Sequence, residues 1–135
     1  MYPADVKGLL LVDPASKETY ERMAKEYPDL FMKDDRPFRS YAAVAEIDAI
    51  LPAMQQSLAS DSIFKGDIEL LVAGSFKEWT AAEKGMKQIW IDELKAWAGR
   101  NKNVNFLLVD SGHFIQREKP EVVIEAVKRL AGAGN

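Results

Sequence analysis

The residue with the widest chemical reach in this chain is its one histidine, His113. It stands in Asp110-Ser111-Gly112-His113-Phe114-Ile115-Gln116-Arg117-Glu118-Lys119-Pro120-Glu121. An imidazole titrates near neutrality, so it takes a proton from a hydroxyl and returns it to a leaving group. The same ring on a solvent-facing loop is also an ordinary residue with nothing to do, and residue type alone favours that bland reading. Context favours the other. His113 follows the apolar run Val104–Val109, at the strand end where open α/β sheets place ligands.

Composition narrows the remaining chemistry. There is no cysteine, which excludes disulfides, thiolate metal sites and a cysteine nucleophile. A single histidine excludes a histidine-rich metal site. The net charge is −3 with 29% charged residues, the two signs interspersed, which argues against a nucleic-acid partner. The N-terminal residues lack a basic segment followed by a long apolar core, and Leu9-Leu10-Leu11-Val12 is far too short to span a bilayer. No membrane span and a cytoplasmic location are the compositional expectations.

The elements that position His113 read as strand–helix alternation. Gly8–Val12, Ile68–Ala73 and Val104–Val109 are short apolar runs closed by turn residues, as expected of strands covered on both faces. After Asp13-Pro14 a helix is expected through about Lys25, with Asp13 available as its cap. Helical spacing recurs from Tyr41 to Ile50, and from Gly85 to Ala98 through Met86, Ile89, Trp90, Leu94 and Trp97. A last helix starts at Lys119-Pro120-Glu121 and turns Val122, Val123, Ala126, Val127 and Leu130 inward. Such alternation implies α/β architecture: about three parallel strands with flanking helices, in one domain over residues 1–135. Residues 17–64 are too long for a simple crossover and read as a helical insertion. Trp79, Trp90 and Trp97 are expected in helix–sheet packing.

Ser111-Gly112-His113-Phe114-Ile115-Gln116, a short charged spacer, and then Lys119-Pro120-Glu121-Val122-Val123-Ile124-Glu125-Ala126 together resemble the histidine loop and last helix of the α/β-hydrolase family. Gly8-Leu9-Leu10-Leu11-Val12-Asp13-Pro14-Ala15 resembles the family strand that follows the nucleophile helix. The resemblance covers nearly the whole chain but only the back half of the family's fold: strand, helical lid, strand, helix, strand and terminal helix. It implies a partial α/β-hydrolase fold in which residues 17–64 are the lid. Methionines and phenylalanines of that segment and its flanks, with Met86, suit an acyl pocket or ordinary packing equally.

The resemblance also implies roles. His113 becomes the general base of hydrolysis at an ester, amide or similar acyl bond, and no cofactor is implied. The family's acid more commonly follows the next strand, where this chain reads Gly74-Ser75-Phe76-Lys77-Glu78 with lysine at the expected aspartate. In some lipases it ends the earlier strand, in a context close to Val12-Asp13-Pro14-Ala15. Asp13 is therefore the preferred acid and Glu78 the second choice, which holds the imidazole in the required tautomer. Helix cap and triad acid are compatible roles for Asp13.

The family nucleophile lies in Gly-x-Ser-x-Gly, and none of Ser16, Ser40, Ser57, Ser60, Ser62, Ser75 and Ser111 has that frame. The glycine-rich oxyanion loop is missing as well. The chain by itself is thus expected to be inactive, as from a truncated gene, a split gene or a deliberately expressed fragment. Its expected partners are a small acyl substrate and a complementing N-terminal half, or a second copy joined through the unpaired edge of the first strand. The rival expectation is a non-enzymatic, oligomeric binding or interaction module in which His113 is a relic.

Overall fold

The computed structural model describes residues 6–31, 64–75 and 79–132. They fall into two compact units: 6–14 with 64–75 and 79–132, and 15–31. The first holds a three-stranded parallel sheet of β1 (Gly8–Val12), β2 (Asp67–Ala73) and β3 (Val104–Val109), in the order β1-β2-β3. The α/β expectation of parallel strands with flanking helices holds at this level. The helix expected over 41–50, and Glu78, lie outside the described residues.

The second unit contains α1 (Lys17–Glu26) and α2 (Pro28–Phe31). The cap of α1 is Ser16, whose Oγ accepts from the Thr19 N–H at 3.1 Å. This corrects the reading of Asp13 as the cap. A capping oxygen must reach the second or third helical N–H. Asp13 sits three residues too early, and its carboxylate is committed elsewhere.

β2 runs through the middle of the sheet, and every residue from Ile68 to Ala73 is buried. Because successive strand side chains face opposite ways, it builds two cores. Leu70 and Val72 pack with Ile91, Leu94 and Ala98 of α3 (Ala81–Arg100). Leu71 and Ala73 pack on the other face with Val109, Ile115 and Ala126. Ile115 opens the short α4 (Ile115–Glu118), and Ala126 lies on α5 (Pro120–Gly132). Trp90 and Trp97 pack against the α3 core, whereas Trp79 is exposed.

The edges differ from the expectation of strands covered on both faces. Leu107 and Leu108 of β3 are exposed, as is Val127 of α5. A terminal strand lacks a neighbour on one side. α5 applies the stripe of Val122, Val123 and Ala126 to the sheet, and Val127 falls about 40° beyond Val123, outside that stripe.

α3 starts four residues before the apolar periodicity suggests. Thr80 and Glu83 form a capping box: Thr80 Oγ1 accepts from the Glu83 N–H at 3.3 Å, and Glu83 Oε2 accepts from the Thr80 N–H at 2.8 Å. Thr80→Ala should lower stability by about 1 kcal/mol, read as a lower urea midpoint with an unchanged slope.

At the opposite end of β2, Glu69 is buried, bonded by Arg129 through Nε at 2.9 Å and Nη2 at 2.7 Å and by Asn105 at 3.0 Å. The Arg129 hydrogen bonds hold its carboxyl below the ordinary value of 4.5, with burial opposing and Asn105 assisting. A carboxyl with a depressed folded pKa stabilises fully above its unfolded value and loses that effect as pH falls through the folded one. Acidification below about 4.5 should therefore destabilise the sheet unit, and Glu69→Gln should flatten that part of a stability–pH curve.

Candidate active site

Asp13, Lys87 and His113 converge at the C-terminal ends of the strands. β1 delivers Asp13: its N–H continues the ladder, donating to Leu71 O at 2.7 Å. The backbone then turns through a left-handed conformation, with Asp13 at φ 45°. Aspartate is among the few residues that enter this region readily. The turn brings the carboxylate back over the end of β2. Asp13 is 3% exposed there, and its Oδ1 accepts the Ala73 N–H at 3.1 Å.

β3 delivers His113 through a loop anchored on both sides. Before it, Ser111 is buried, its N–H donates to Val109 O at 2.8 Å, and its carbonyl accepts from the Ser75 N–H at 3.0 Å. The Gly112 N–H donates to Glu118 Oε2 at 2.8 Å. After it, Ile115 is wholly buried. His113 is thus held on a fixed backbone while its side chain is 64% exposed. The Phe114 and His113 ring centres lie 5.2 Å apart with the ring planes steeply inclined, and the Arg117 guanidinium lies 5.0 Å from the centre of the Phe114 ring.

The two candidate residues meet directly. His113 Nδ1 lies 2.8 Å from Asp13 Oδ2. A carboxylate only accepts, so the neutral imidazole carries its proton on Nδ1 and keeps the Nε2 lone pair free. Such a ring can take a proton at Nε2 and leave the resulting cation beside a carboxylate.

Lys87 is the functional residue that sequence reasoning missed. Its Nζ donates to Asp13 Oδ1 at 2.7 Å and to Oδ2 at 2.9 Å, and it lies 4.8 Å from the centre of the Trp90 ring. Burial pushes the ammonium below the usual lysine range, against the opposing bonds and charge of Asp13. A signal existed: Lys87, Ile91, Leu94 and Ala98 are spaced by four, three and four residues, the buried stripe of α3. A lysine in an apolar stripe asks for a buried acid.

Ser75 is joined to the histidine loop through its backbone. Among the described residues no serine hydroxyl is hydrogen-bonded to the imidazole; that of Ser111 contacts Gly112 O at 3.1 Å. Among the described residues no cluster of three or more histidine, cysteine, aspartate or glutamate side chains could hold a metal, and no helix is long and apolar enough to cross a membrane. Comparison with protein families, curated proteins and solved structures finds no match to this chain.

Proposed function

We propose that this chain is the histidine-bearing back half of an α/β-hydrolase fold, acting on an ester, amide or similar acyl bond. The observation that carries the reading is the 2.8 Å contact between His113 Nδ1 and Asp13 Oδ2. It joins residues 100 positions apart, at the ends of two outer strands of a parallel sheet, in the relation of base to orienting acid. Their order, acid before histidine, is the one the fold uses. His113 is the general base and Asp13 its partner, while the serine and the oxyanion donors come from a complementing segment. In this reading residues 17–64 are the lid, and α1 and α2 are its first helices.

The sequence of the described residues supports that division of labour. β1 is an outer strand of the described sheet, so its free edge is the place for the next strand of a complementing half. Without that half, two copies joined through the same edge are the expected state. Sedimentation should show concentration-dependent association of the purified chain, and a monomer at high concentration would contradict this part of the proposal.

The functional test is co-expression with the polypeptide encoded immediately upstream. A Gly-x-Ser-x-Gly segment there, stable association with this chain and hydrolysis of a short-chain nitrophenyl ester by the complex are the expected results. An upstream sequence without such a segment, together with no hydrolysis, would leave the non-enzymatic binding module as the better reading. The missing Gly-x-Ser-x-Gly frame is the feature that favours that alternative for the chain alone.

A further inference from the structure

We propose that Lys87 is a positioning residue for His113: its ammonium fixes the Asp13 carboxylate and, across the shared oxygen, opposes the imidazole's uptake of a proton. This rests on the reading of His113 as a base, although its test does not require hydrolysis.

The arrangement goes beyond what neutralising a buried acid requires. Asp13 already has the Ala73 N–H on Oδ1 and the His113 ring on Oδ2. Lys87 bonds both oxygens, so Oδ2 is shared between an ammonium and an imidazole. Two hydrogen bonds on one oxygen put the two nitrogens within about 6 Å of each other. When the imidazole takes up a proton, one carboxylate faces two cations, and their repulsion opposes the uptake. An Asp–His pair without the lysine has only the carboxylate's attraction, which favours imidazolium.

The lysine is placed by rigid structure rather than by a flexible tail. Ile91, Leu94 and Ala98 lock the same face of α3 onto β2, the capping box fixes the helix start, and the Lys87 side chain is only 8% exposed. Other charged groups near the ring sit on the flanking loop and α4. Asp110 is exposed at the end of β3, Glu118 is engaged by the Gly112 N–H, and Arg117 lies over Phe114. Of the other described charged side chains, Lys87 is the one that bonds the Asp13 carboxylate, which the ring also contacts. Burial works on Lys87 in the direction that weakens the ammonium, while Asp13 works to retain it; hence the charge depends on the same carboxylate that holds the histidine.

Because the chain has a single histidine, an NMR titration of its ring signals needs no assignment. In Lys87→Met the titration midpoint should rise by about one pH unit relative to the unmodified chain. Lys87→Arg, which keeps the cation, should stay close to the unmodified chain. An unchanged midpoint in Lys87→Met, or Lys87→Arg behaving as Lys87→Met does, overturns the proposal. Should Lys87→Met fail to fold, the Lys87 Nζ resonance of the unmodified chain serves instead. It should move in step with the ring titration, and a stationary resonance overturns the coupling. A coupled titration in a complex that hydrolyses nothing would refute the hydrolase reading and leave this one standing.

Discussion

Asp13→Ala is expected to destabilise the sheet unit by about 3–5 kcal/mol at neutral pH, since it leaves a buried ammonium without its counter-ion. For a domain whose whole stability is about 5–15 kcal/mol, that leaves little. Three losses coincide: Lys87 Nζ loses both acceptors, the Ala73 N–H loses its partner, and His113 loses its anchor. Alanine also tolerates φ 45° less well than aspartate, whose short polar side chain suits the left-handed region. The unpaired ammonium should be the largest of these terms, and that makes the effect dependent on pH. Without Asp13 the folded-state pKa of Lys87 falls further below its unfolded value, so folding releases a proton over the interval between them. A base with a depressed folded pKa lets stability recover as pH rises through that interval. The deficit of Asp13→Ala should therefore shrink as pH rises from neutrality toward about 10.4, the usual lysine value. Urea unfolding at both pH values checks it. The double variant Asp13→Ala with Lys87→Met should regain much of the loss at neutral pH, since an apolar pair replaces an orphaned charge. A pH-independent deficit, not relieved by the second substitution, would show that backbone strain rather than charge dominates.

The strands were legible because each is a contiguous apolar run ended by Asp, Gly or Pro, and such runs need no partner to be recognised. Gly8–Val12 and Val104–Val109 fall where the sequence puts them, and β2 begins one residue early, at Asp67. The start of α3 was hidden in polar residues: Thr80 and Glu83 bond each other's backbone, a signal that hydrophobic spacing does not register. The same blindness concealed Lys87. Counting apolar positions put Met86, Ile89 and Trp90 on the inner face and passed over the lysine between them. The spacing of Lys87 with Ile91, Leu94 and Ala98 marks it as buried, but its partner is legible only once Asp13 is known to turn back over β2. That turn depends on a left-handed residue, which no periodicity encodes. Asp13 as a helix cap failed for a related reason. Local chemistry allowed it, but a carboxylate with an ammonium, an imidazole and a backbone N–H to serve from other elements is placed by the sheet. Exposure of Leu107 was likewise a matter of where the described sheet ends, and that of Val127 a matter of its place beside the buried helix stripe.

His113→Ala should separate chemistry from stability in the opposite sense to Asp13→Ala. The ring is mostly exposed, and the backbone around it is held by Ser111, Gly112 and Ile115 independently of the side chain. Its removal deletes one hydrogen bond to a carboxylate that keeps Lys87 and the Ala73 N–H, so the stability change should stay within about 1 kcal/mol. Hydrolysis by the complemented protein should fall by about a thousandfold or more, the usual consequence of losing the base that activates a serine. His113→Gln should be no better, because an amide cannot accept the hydroxyl proton. The pair of measurements is decisive in combination. A large loss of hydrolysis at unchanged stability places His113 in the reaction, whereas retained hydrolysis in a folded variant places the base elsewhere and returns Asp13, Lys87 and His113 to a structural ion-pair cluster at the end of the sheet.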